Sequence, residues 1–487
     1  MSKKISLSLM LLFVGIQLSV NSQIVKATTP TIQTTNNKST CPAQLNTSIE
    51  AVINRPIFNR VRWGILVQSQ TSGKTLYSRD SEKFFIPASN TKLFTTAAAL
   101  LQLGEKFRFR TSIYQNSPGV LRVVGRGDPS LNNQQLQLLA QKLKQQNINE
   151  IKLLIADDSY IKGDIVHPTW EWEDVQADYG APASSFILNE NTFSLNVLPE
   201  TAGKTTKILW DDDSEAEKWR VINQSVTVDK NQPNYINVSR SLSAPTLTFT
   251  GQIAADSQPY KVTLPVVDPS YFFLRRFRNV LATENITLGQ TTVFSGGINQ
   301  QEVAFVESPP LSELITETNV ASNNVYAEAL LRALAVKKTG TINQNSANLG
   351  LEVVRETLTQ LGVNPNSYFI ADGSGLSRRN LISPEAIVAT LQGMAKTPVG
   401  QIYKASLPIA GKNGTLTRRF INTPAAEIVH AKTGTLTGAS SLSGYVKPPN
   451  YEPLVFSIMV NQADQSATVL RQAIDEIVLL LTQLQSC

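Results

Sequence analysis

The sequence has 487 residues, roughly three times the commonest domain size of about 100–150 residues, so more than one hydrophobic core is expected. Hydrophobic residues make up 41% and charged residues 17%, proportions that are ordinary for a globular protein and that exclude a chain disordered throughout. The net charge of +6 suits an anionic cell wall or membrane face, whereas the basic residues lie in scattered pairs and not in the clustered patch that nucleic-acid binding requires.

The N-terminus has the three-part pattern of a secretory signal. Lys3 and Lys4 precede an apolar run from Ile5 to Val20, and small residues suited to cleavage follow. An uncleaved membrane anchor is the alternative, but polar residues interrupt the run, which falls short of the ~20 apolar residues that span a bilayer. We predict a signal peptide at 1–22, a flexible leader at 23–40, and location in the periplasm or cell envelope, with peripheral association with membrane or wall left open.

The chain has only two cysteines, Cys41 and Cys487, near its two ends. In an oxidising compartment they could form a disulfide, but two separate thiols fit equally well because the sequence gives no distance. The only histidines are His167 and His430, and there is no Cys/His cluster. We therefore expect no metal site and no cofactor.

The segment before residue 105 reads as a helix, a hairpin and a second helix. The first helix covers Leu45 to Ile53, and the hairpin strands meet around Ser72 and Gly73. The second helix runs from Thr91 to Leu103 and ends at a glycine, so Ser89 is predicted at a helix N-terminus.

From 106 to 268 the sequence consists of short runs in which apolar and polar residues alternate, separated by turn residues. This pattern predicts a β-rich region. Asp268 and Pro269 then begin a helix from Tyr271 to Leu281. We interpret 106–268 as an insertion of one or two small domains into a catalytic domain formed by 41–105 and 269–487.

The last third alternates between helical and strand patterns. The helices are predicted at Val325–Val336, Leu349–Leu361 and Pro384–Met394, with a terminal helix after Ser466. The strands are predicted at Ile428–Lys432, Leu442–Val446 and Leu454–Val460. Together with the N-terminal hairpin they predict an α+β fold, in which about five antiparallel strands are flanked by helices.

Ser89 and Lys92 form an S-x-x-K pattern. Residues three apart share a helix face, so the amine could take the hydroxyl proton, and the helix N-terminus would favour a developing alkoxide. Taken alone, the pattern is better explained by an N-cap serine beside an unrelated surface lysine.

An S-x-N string occurs at Ser322 to Asn324, immediately before a predicted helix, where it could relay a proton and hold a substrate amide. The same string occurs from Ser194 to Asn196 and from Ser346 to Asn348. The pattern by itself therefore does not choose among the three.

A K-T-G string occurs at Lys432, Thr433 and Gly434, with a second copy that begins at Lys338. The second copy ends a helix, where lysine and glycine have ordinary roles. Lys432 ends a strand, whose edge could present backbone N–H groups to a substrate carbonyl while Lys432 and Thr433 bind a carboxylate. Context therefore favours the copy at Lys432.

In the order S-x-x-K, S-x-N, K-T-G these strings make up the motif set of the penicillin-recognising serine acyl-transferases. The chain resembles the class C low-molecular-weight penicillin-binding proteins, the D-alanyl-D-alanine carboxypeptidase/endopeptidase family that carries extra domains between the first two motifs. The resemblance extends to further stretches at Gly125–Pro129, Trp170–Asp174, Asn189–Asn191, Asp372–Arg378 and Ser406–Gly411.

The resemblance implies a role for each motif residue. Ser89 would be acylated and Lys92 would be its base. Ser322 would pass a proton to the leaving amine, and Asn324 would bind the substrate amide. The remaining positions would contact the terminal carboxylate or the oxyanion, and these are Lys432, Thr433, Gly434 and Thr435.

The resemblance also implies that residues around the insertion contact a diaminopimelate side chain. Asp174, Tyr179 and Arg378 fall at those positions, although Tyr179 fits core packing equally well. Family members may carry a longer polar residue three positions after the K-T-G glycine. This chain has Thr437 there, which leaves its side-chain preference open.

The implied function is a serine-type D-Ala-D-Ala carboxypeptidase that acts on peptidoglycan stem peptides and is acylated by β-lactams. Cleavage of D-Ala-diaminopimelate cross-links is a further expectation. Two alternatives are a β-lactamase, for which no E-x-x-x-N deacylation loop suggests itself, and a non-catalytic wall-binding protein. Because Lys92 can act as a base only when neutral, we predict that burial and the charge of Lys432 lower its pKa, so both lysines should share one cleft.

Overall fold

The computed structural model describes residues 40–241, 243–296, 301–339 and 344–487 of the chain. The predicted signal peptide at 1–22 and all but the last residue of the predicted leader lie outside these ranges. Within them, none of the helices combines the length and the apolar character needed to cross a bilayer.

The strands are numbered in chain order. They are β1 Arg62–Ser69, β2 Thr75–Arg79, β3 Arg110–Ser117, β4 Val120–Val124, β5 Glu150–Asp157, β6 Thr192–Leu198, β7 Lys207–Trp210, β8 Arg220–Asn223, β9 Val226–Val228, β10 Tyr235–Arg240, β11 Thr246–Ala254, β12 Tyr260–Pro265, β13 Thr287–Val293, β14 Gln301–Glu307, β15 Tyr368–Phe369, β16 Leu381–Ile382, β17 Val429–Leu436, β18 Ala439–Val446 and β19 Leu454–Asn461.

The helices are numbered in the same way. They are α1 Pro42–Ile53, α2 Lys92–Leu103, α3 Asn133–Gln145, α4 Asp213–Ala216, α5 Pro269–Thr283, α6 Leu311–Val320, α7 Asn324–Thr339, α8 Ser346–Gln360, α9 Pro384–Ala395, α10 Gly400–Ala405 and α11 Ala467–Thr482.

The central sheet has the order β17-β18-β19-β1-β2, and every neighbouring pair is antiparallel. All eight residues of β18 and all eight of β19 are buried, because helices cover both faces of the sheet. The predicted five-stranded antiparallel sheet flanked by helices is confirmed. Since β17 is the last strand of this order and its outer edge pairs with residues 408–410 only as far as Ala431, the part of that edge after Ala431 can face a ligand.

Each face of the central sheet has its own hydrophobic core. One core joins the sheet to α1 and α11 and includes Ile49, Phe456 and Ile474. The other joins it to α2, α6, α7, α8 and α9 and includes Phe94 and Leu330. All nine residues from Lys92 to Leu100 are buried, the polar Lys92, Thr95 and Thr96 among them, so α2 is packed on every side within the core.

The inserted region contains a mixed five-stranded sheet of the order β13-β5-β4-β3-β14, with α3 and α5 packed against it. Two smaller sheets, built from β6, β7 and β12 and from β8 to β11, follow in the chain between β5 and β13. All three sheets share one core, in which Leu139, Phe249 and Phe272 are fully buried.

The boundary predicted at residue 268 differs from this topology. Strand β13 pairs with β5, and β14 pairs with β3, so the chain up to Glu307 belongs to the inserted sheet. Strands that pair across so many residues leave no local pattern in the sequence. The boundary is predicted at residue 268 because the helical pattern of α5 begins there. Asp268 begins that helix, but its side chain contacts Lys218 and Arg275 and does not cap the helix.

Cys41 and Cys487 form a disulfide bond, with their Cα atoms 5.8 Å apart. The question that the sequence left open is answered by α1 and α11, which pack side by side and bring the two ends of the chain together. The bond joins residues separated by 446 positions. It therefore restricts nearly the whole unfolded chain.

Replacing Cys41 and Cys487 with serine should destabilise the protein by about 2–4 kcal/mol, because the unfolded chain regains the entropy that the cross-link removes. The measurement is the urea midpoint of unfolding, with and without dithiothreitol. Since the sequence has no other cysteine, reductant should lower the midpoint of the native protein and leave the double variant unchanged. Equal midpoints for native and variant protein would contradict the prediction.

Candidate active site

Ser89 lies in a four-residue 3₁₀ turn that ends where α2 begins. The preceding Ala88 has a φ of 48°, a left-handed conformation that residues with a Cβ rarely adopt. The Thr91 hydroxyl donates to the Ala88 carbonyl at 3.0 Å, and the buried Asn90 amide donates to the Ser441 hydroxyl. These contacts hold the strained turn, which places Ser89 on the wall of a cleft of about 790 Å³.

Two glycines allow neighbouring segments to pack directly on this turn. A Cβ on Gly434 would lie 2.6 Å from the Pro87 carbonyl oxygen, and a Cβ on Gly375 would lie 2.0 Å from the Ala88 carbonyl oxygen. Gly375 also has a φ of 85°. The glycine of the K-T-G string therefore lets β17 approach the nucleophile turn, a spacing that any larger residue would prevent.

Lys92 is completely buried, and its amine contacts three oxygen atoms. The Nζ atom lies 3.1 Å from the Ser89 hydroxyl, 2.5 Å from Asn324 Oδ1 and 2.8 Å from the Ser374 carbonyl oxygen. The predicted pairing of Ser89 with Lys92 is thus present. The Asn324 and Ser374 contacts direct the amine, so it cannot swing away from the serine.

Burial lowers the pKa of Lys92 to about 7, while the carboxylates of Asp372 and Glu328 act in the opposite direction. The expected repulsion between Lys92 and Lys432 is felt at Lys432. Its pKa is itself lowered well below the usual lysine value, first by burial and then by the charge of Lys92. Near neutral pH a substantial fraction of Lys92 is therefore uncharged and able to accept a proton.

Glu328, a buried residue of α7, holds the backbone that receives the Lys92 amine. Its Oε1 atom accepts hydrogen bonds from the N–H groups of Gly373 at 2.9 Å and Ser374 at 3.0 Å. Its other oxygen lies 2.7 Å from the Arg332 guanidinium, so the buried carboxylate is paired. This residue both positions the Ser374 carbonyl and supplies negative charge near Lys92.

Asp372 organises the next turn of the same loop. It accepts hydrogen bonds from the N–H groups of Gly375 and Ser377, each at 2.7 Å, and from the Asn380 amide at 2.8 Å. The Trp170 indole, which belongs to the inserted region, donates to it at 2.8 Å. Asp372 therefore connects the inserted region to the loop that supports Lys92.

Ser322 and Lys432 form a second hydroxyl–amine pair in the cleft. Lys432 Nζ lies 2.9 Å from the Ser322 hydroxyl and is buried. Ser322 has a φ of 62°, so this hydroxyl too is presented by strained backbone. The prediction that Lys92 and Lys432 share one cleft agrees with these contacts, because Asn324, which binds Lys92, lies two residues after Ser322.

The remaining motif residues lie around these two pairs. The Asn324 amide nitrogen donates to the Tyr179 carbonyl at 2.9 Å, and the Thr433 hydroxyl donates to the Thr415 hydroxyl at 2.8 Å. Thr435 lies on the wall of the cleft near the C-terminal end of β17. The backbone of this edge strand can therefore face a ligand carbonyl opposite Asn324.

The outer part of the cleft is lined by Asp174, Tyr179 and Arg378, as the resemblance implied. Tyr179 is 49% exposed, so it is not a core residue, and its hydroxyl lies 3.3 Å from Asp174. Arg378 pairs with Glu171 at 2.9 Å and donates to the Thr437 carbonyl at 3.0 Å. Burial raises the pKa of the Asp174 carboxyl. This end of the cleft therefore presents an acidic group, Asp174, and a basic group, Arg378, to a ligand.

The repeated strings lie away from the cleft. Ser194 and Asn196 are on β6, where they contact Thr263 and Asp211, and Ser346 binds the backbone N–H of Lys162. Lys338 is exposed and pairs with Glu356 at 2.7 Å. These copies have local structural roles, which the sequence context indicated for the one at Lys338 and left open for the two S-x-N strings.

Several residues of the site were given no role from the sequence. They are Thr415, Glu171, Glu328, Asp372 and Ser374. Asp372 and Ser374 belong to the Asp-Gly-Ser-Gly stretch that the resemblance already included. Nothing in the sequence indicated that the Glu328 side chain is buried and binds the backbone of that stretch. Among the residues that the structure describes, no group of three His, Cys, Asp or Glu side chains is arranged to hold a metal ion.

Comparison with known proteins agrees with this geometry. The model of the D-Ala-D-Ala carboxypeptidase 3 (S13) family matches residues 45–484. A D-alanyl-D-alanine carboxypeptidase of Actinomadura sp. (strain R39) is 32% identical over 443 residues, which cover 86% of this chain and 81% of the relative. A penicillin-sensitive carboxypeptidase A of Dictyostelium discoideum is 31% identical over 466 residues, which cover 87% of each chain.

The fold is also similar to a solved structure. The crystal structure of penicillin binding protein 4 from Haemophilus influenzae has a TM-score of 0.79 and 24% sequence identity. The match covers 89% of this chain and 98% of that one. The two chains therefore share their fold over most of their length.

The reactivity of Ser89 should follow the ionisation of Lys92. The rate at which an acylating reagent modifies Ser89 should rise with pH through a midpoint near 7, the pKa of Lys92, because only the neutral amine accepts the serine proton. Below the midpoint the rate should fall about tenfold per pH unit. The measurement is the pseudo-first-order modification rate between pH 5 and 9.

Glu328→Gln tests the origin of that midpoint. Removing a carboxylate that raises the pKa of Lys92 should move the midpoint to lower pH, by roughly one pH unit. Glu313→Gln, an exposed position on the neighbouring α6, is the matched control and should leave it unchanged. A folded Glu328→Gln protein, verified by its melting curve, with an unmoved or raised midpoint would refute this account.

Proposed function

The chain belongs to the D-Ala-D-Ala carboxypeptidase 3 (S13) family, and on this premise we propose that it hydrolyses D-Ala-D-Ala bonds of peptidoglycan stem peptides through an acyl-enzyme at Ser89. As a member of this family it is a serine-type DD-peptidase. The observation that carries the assignment of the nucleophile is the contact of 3.1 Å between the Ser89 hydroxyl and the buried Lys92 amine.

In the acylation step neutral Lys92 takes the Ser89 proton while the serine oxygen attacks the carbonyl carbon of the penultimate D-Ala. The backbone N–H groups of Ser89 and Thr435 would stabilise the oxyanion that forms. The C–N bond then breaks, and the leaving nitrogen takes the Ser322 hydroxyl proton. Lys432 replaces that proton, which its distance of 2.9 Å from Ser322 supports.

In the deacylation step water takes the place of the leaving amine. Its proton passes to Ser322 and hence to Lys432, its oxygen attacks the ester carbon, and Lys92 returns a proton to Ser89 as the C–O bond breaks. Both lysines thereby regain their starting states. The products are the shortened stem peptide and free D-Ala, so atoms and charges balance over the cycle.

Lys432 and Thr433 would also hold the terminal carboxylate of the substrate, with Thr415 beside them. Lys432 is buried, which favours its uncharged form. An incoming carboxylate reverses this preference, because an opposite charge close by favours the ammonium. Substrate binding would thus supply the charged Lys432 that the acylation step requires.

The outer cleft would receive the side chain of diaminopimelate. The Asp174 carboxylate suits its ammonium group, and the Arg378 guanidinium suits its carboxylate. Glu171 occupies Arg378 in the free protein, so the substrate carboxylate would replace this partner. A cross-linked peptide that presents a D-Ala-diaminopimelate bond to Ser89 would fit the same cleft. We therefore extend the proposal to D-Ala-diaminopimelate endopeptidase activity.

The proposed site of action is the periplasm or the cell envelope. The disulfide between Cys41 and Cys487 supports an oxidising compartment, since such bonds are rare in the reducing cytosol. A β-lactam presents a strained amide to the same serine, and we propose that it leaves a covalent ester there. One relative carries penicillin sensitivity in its name, which supports this extension.

Ser89→Ala should abolish labelling by fluorescent penicillin and lower D-Ala release from a pentapeptide by at least about 1,000-fold, because no acyl-enzyme can form. Gel fluorescence and a D-amino-acid oxidase assay measure the two effects. Ser72→Ala, on the exposed hairpin turn, should behave like the native protein. If native protein neither labels nor releases D-Ala, the proposed function is wrong.

Arg378→Gln should lower kcat/KM for a pentapeptide containing diaminopimelate by about 10- to 100-fold, since a charge-assisted hydrogen bond to the side-chain carboxylate is lost. The matched pentapeptide with lysine lacks that carboxylate, so its kcat/KM should change little. Arg379→Gln, at the adjacent exposed position, is the control. An equal loss on both peptides would argue against this role for Arg378.

A further inference from the structure

A second pocket, of about 550 Å³, lies in the inserted region on the far side of the loop that borders the active-site cleft. Its walls include two tryptophans, Trp172 and Trp219, and three charged residues, Lys218, Arg240 and Asp268. Trp172 is 43% exposed, and such an aromatic face in a concave site is typical of a ligand contact. No step proposed above uses this pocket.

The two cavities are separated by a single stretch of chain. Glu171, Glu173 and Asp174 line the active-site cleft, whereas Trp172, which lies between them in sequence, lines the second pocket. Two residues of chain span at most about 7 Å. The two cavities therefore lie next to each other, with this loop between them.

The wall of the pocket is attached to the same loop. The Arg240 guanidinium donates to the Val175 carbonyl and, at 3.2 Å, to the Pro265 carbonyl, while its backbone N–H donates to the Gln176 side chain at 2.9 Å. Arg240 forms no ion pair with any residue that the structure describes. Its remaining guanidinium donors are thus available to a polar ligand.

The chemistry of the pocket selects among possible occupants. Lys218 and Asp268 pair with each other at 2.7 Å, so Arg240 is the charged group of this wall that still needs a polar partner. A lipid chain would offer it none, and a simple anion would make no use of the indole rings. A sugar ring needs both kinds of surface, because its C–H face packs on an aromatic ring and its hydroxyl and acetamide groups form hydrogen bonds at the rim.

We propose that this pocket binds an N-acetylated sugar of the glycan strand from which the stem peptide hangs. The inference rests on the proposed function, which makes peptidoglycan the substrate. With the diaminopimelate side chain at Asp174 and Arg378, the preceding residues of the stem must leave the cleft towards its sugar. The two residues that precede diaminopimelate reach about 7 Å when extended, which matches the span of the loop that carries Trp172.

The test compares two substrates that share one peptide, a free pentapeptide and the same pentapeptide attached to its disaccharide. Native protein should have a kcat/KM about tenfold higher for the disaccharide form, the gain expected from one well-placed aromatic contact. Trp172→Ala should reduce this ratio to about one, because kcat/KM falls for the disaccharide form and stays unchanged for the free pentapeptide. Ala244→Trp, which fills the pocket from its exposed rim, should have the same effect by adding a side chain.

Tyr235→Ala removes another exposed aromatic ring of the inserted region, 58% exposed and outside both cavities, and should keep the native ratio. Labelling by fluorescent penicillin verifies that each variant has an intact active site. A native ratio near one, or a ratio that both pocket variants retain, overturns the proposal while the peptidase remains active. Native protein inactive on both substrates would reject the proposed function itself.

Discussion

The burial of one amine, that of Lys92, is the constraint on which the rest of the site depends. A lysine in water is protonated at neutral pH and cannot take a proton from serine. Complete burial lowers its pKa to about 7, and Glu328 and Asp372 limit how far it falls. Burial lowers the pKa of Lys92 and the two carboxylates raise it. The resulting value lets the amine gain and lose a proton near neutral pH.

That balance explains why residues distant in sequence converge on α2. The Ser374 carbonyl and Asn324 accept from the amine, and Glu328 holds the loop that carries Ser374. Gly375 and Gly434 permit this loop and β17 to approach the nucleophile turn closely. Left-handed backbone at Ala88 and Ser322 is tolerated because these contacts hold both turns in place.

The inserted region is as much a part of the site as the central sheet. It contributes Asp174 and Tyr179 to the outer cleft, the Tyr179 carbonyl to Asn324, and the Trp170 indole to Asp372. Its core is separate from the two cores of the central sheet. Ala183 and Ile187 of the inserted region nevertheless pack into one core of the central sheet, and the substrate contacts arise where the two parts meet.

The sequence by itself determined the five-stranded antiparallel sheet, its flanking helices and the motif residues, because helix and strand periodicities are local and the order of three short strings is specific. It also favoured Lys432 over Lys338, because one copy of the K-T-G string ends a strand and the other ends a helix, but it left the choice among the three S-x-N strings open. Only the tertiary structure decided the pairing of β13 and β14 with the inserted sheet, the disulfide, and the inward turn of Glu328. These features depend on contacts between residues far apart in the chain, and no local pattern encodes which distant surfaces will meet.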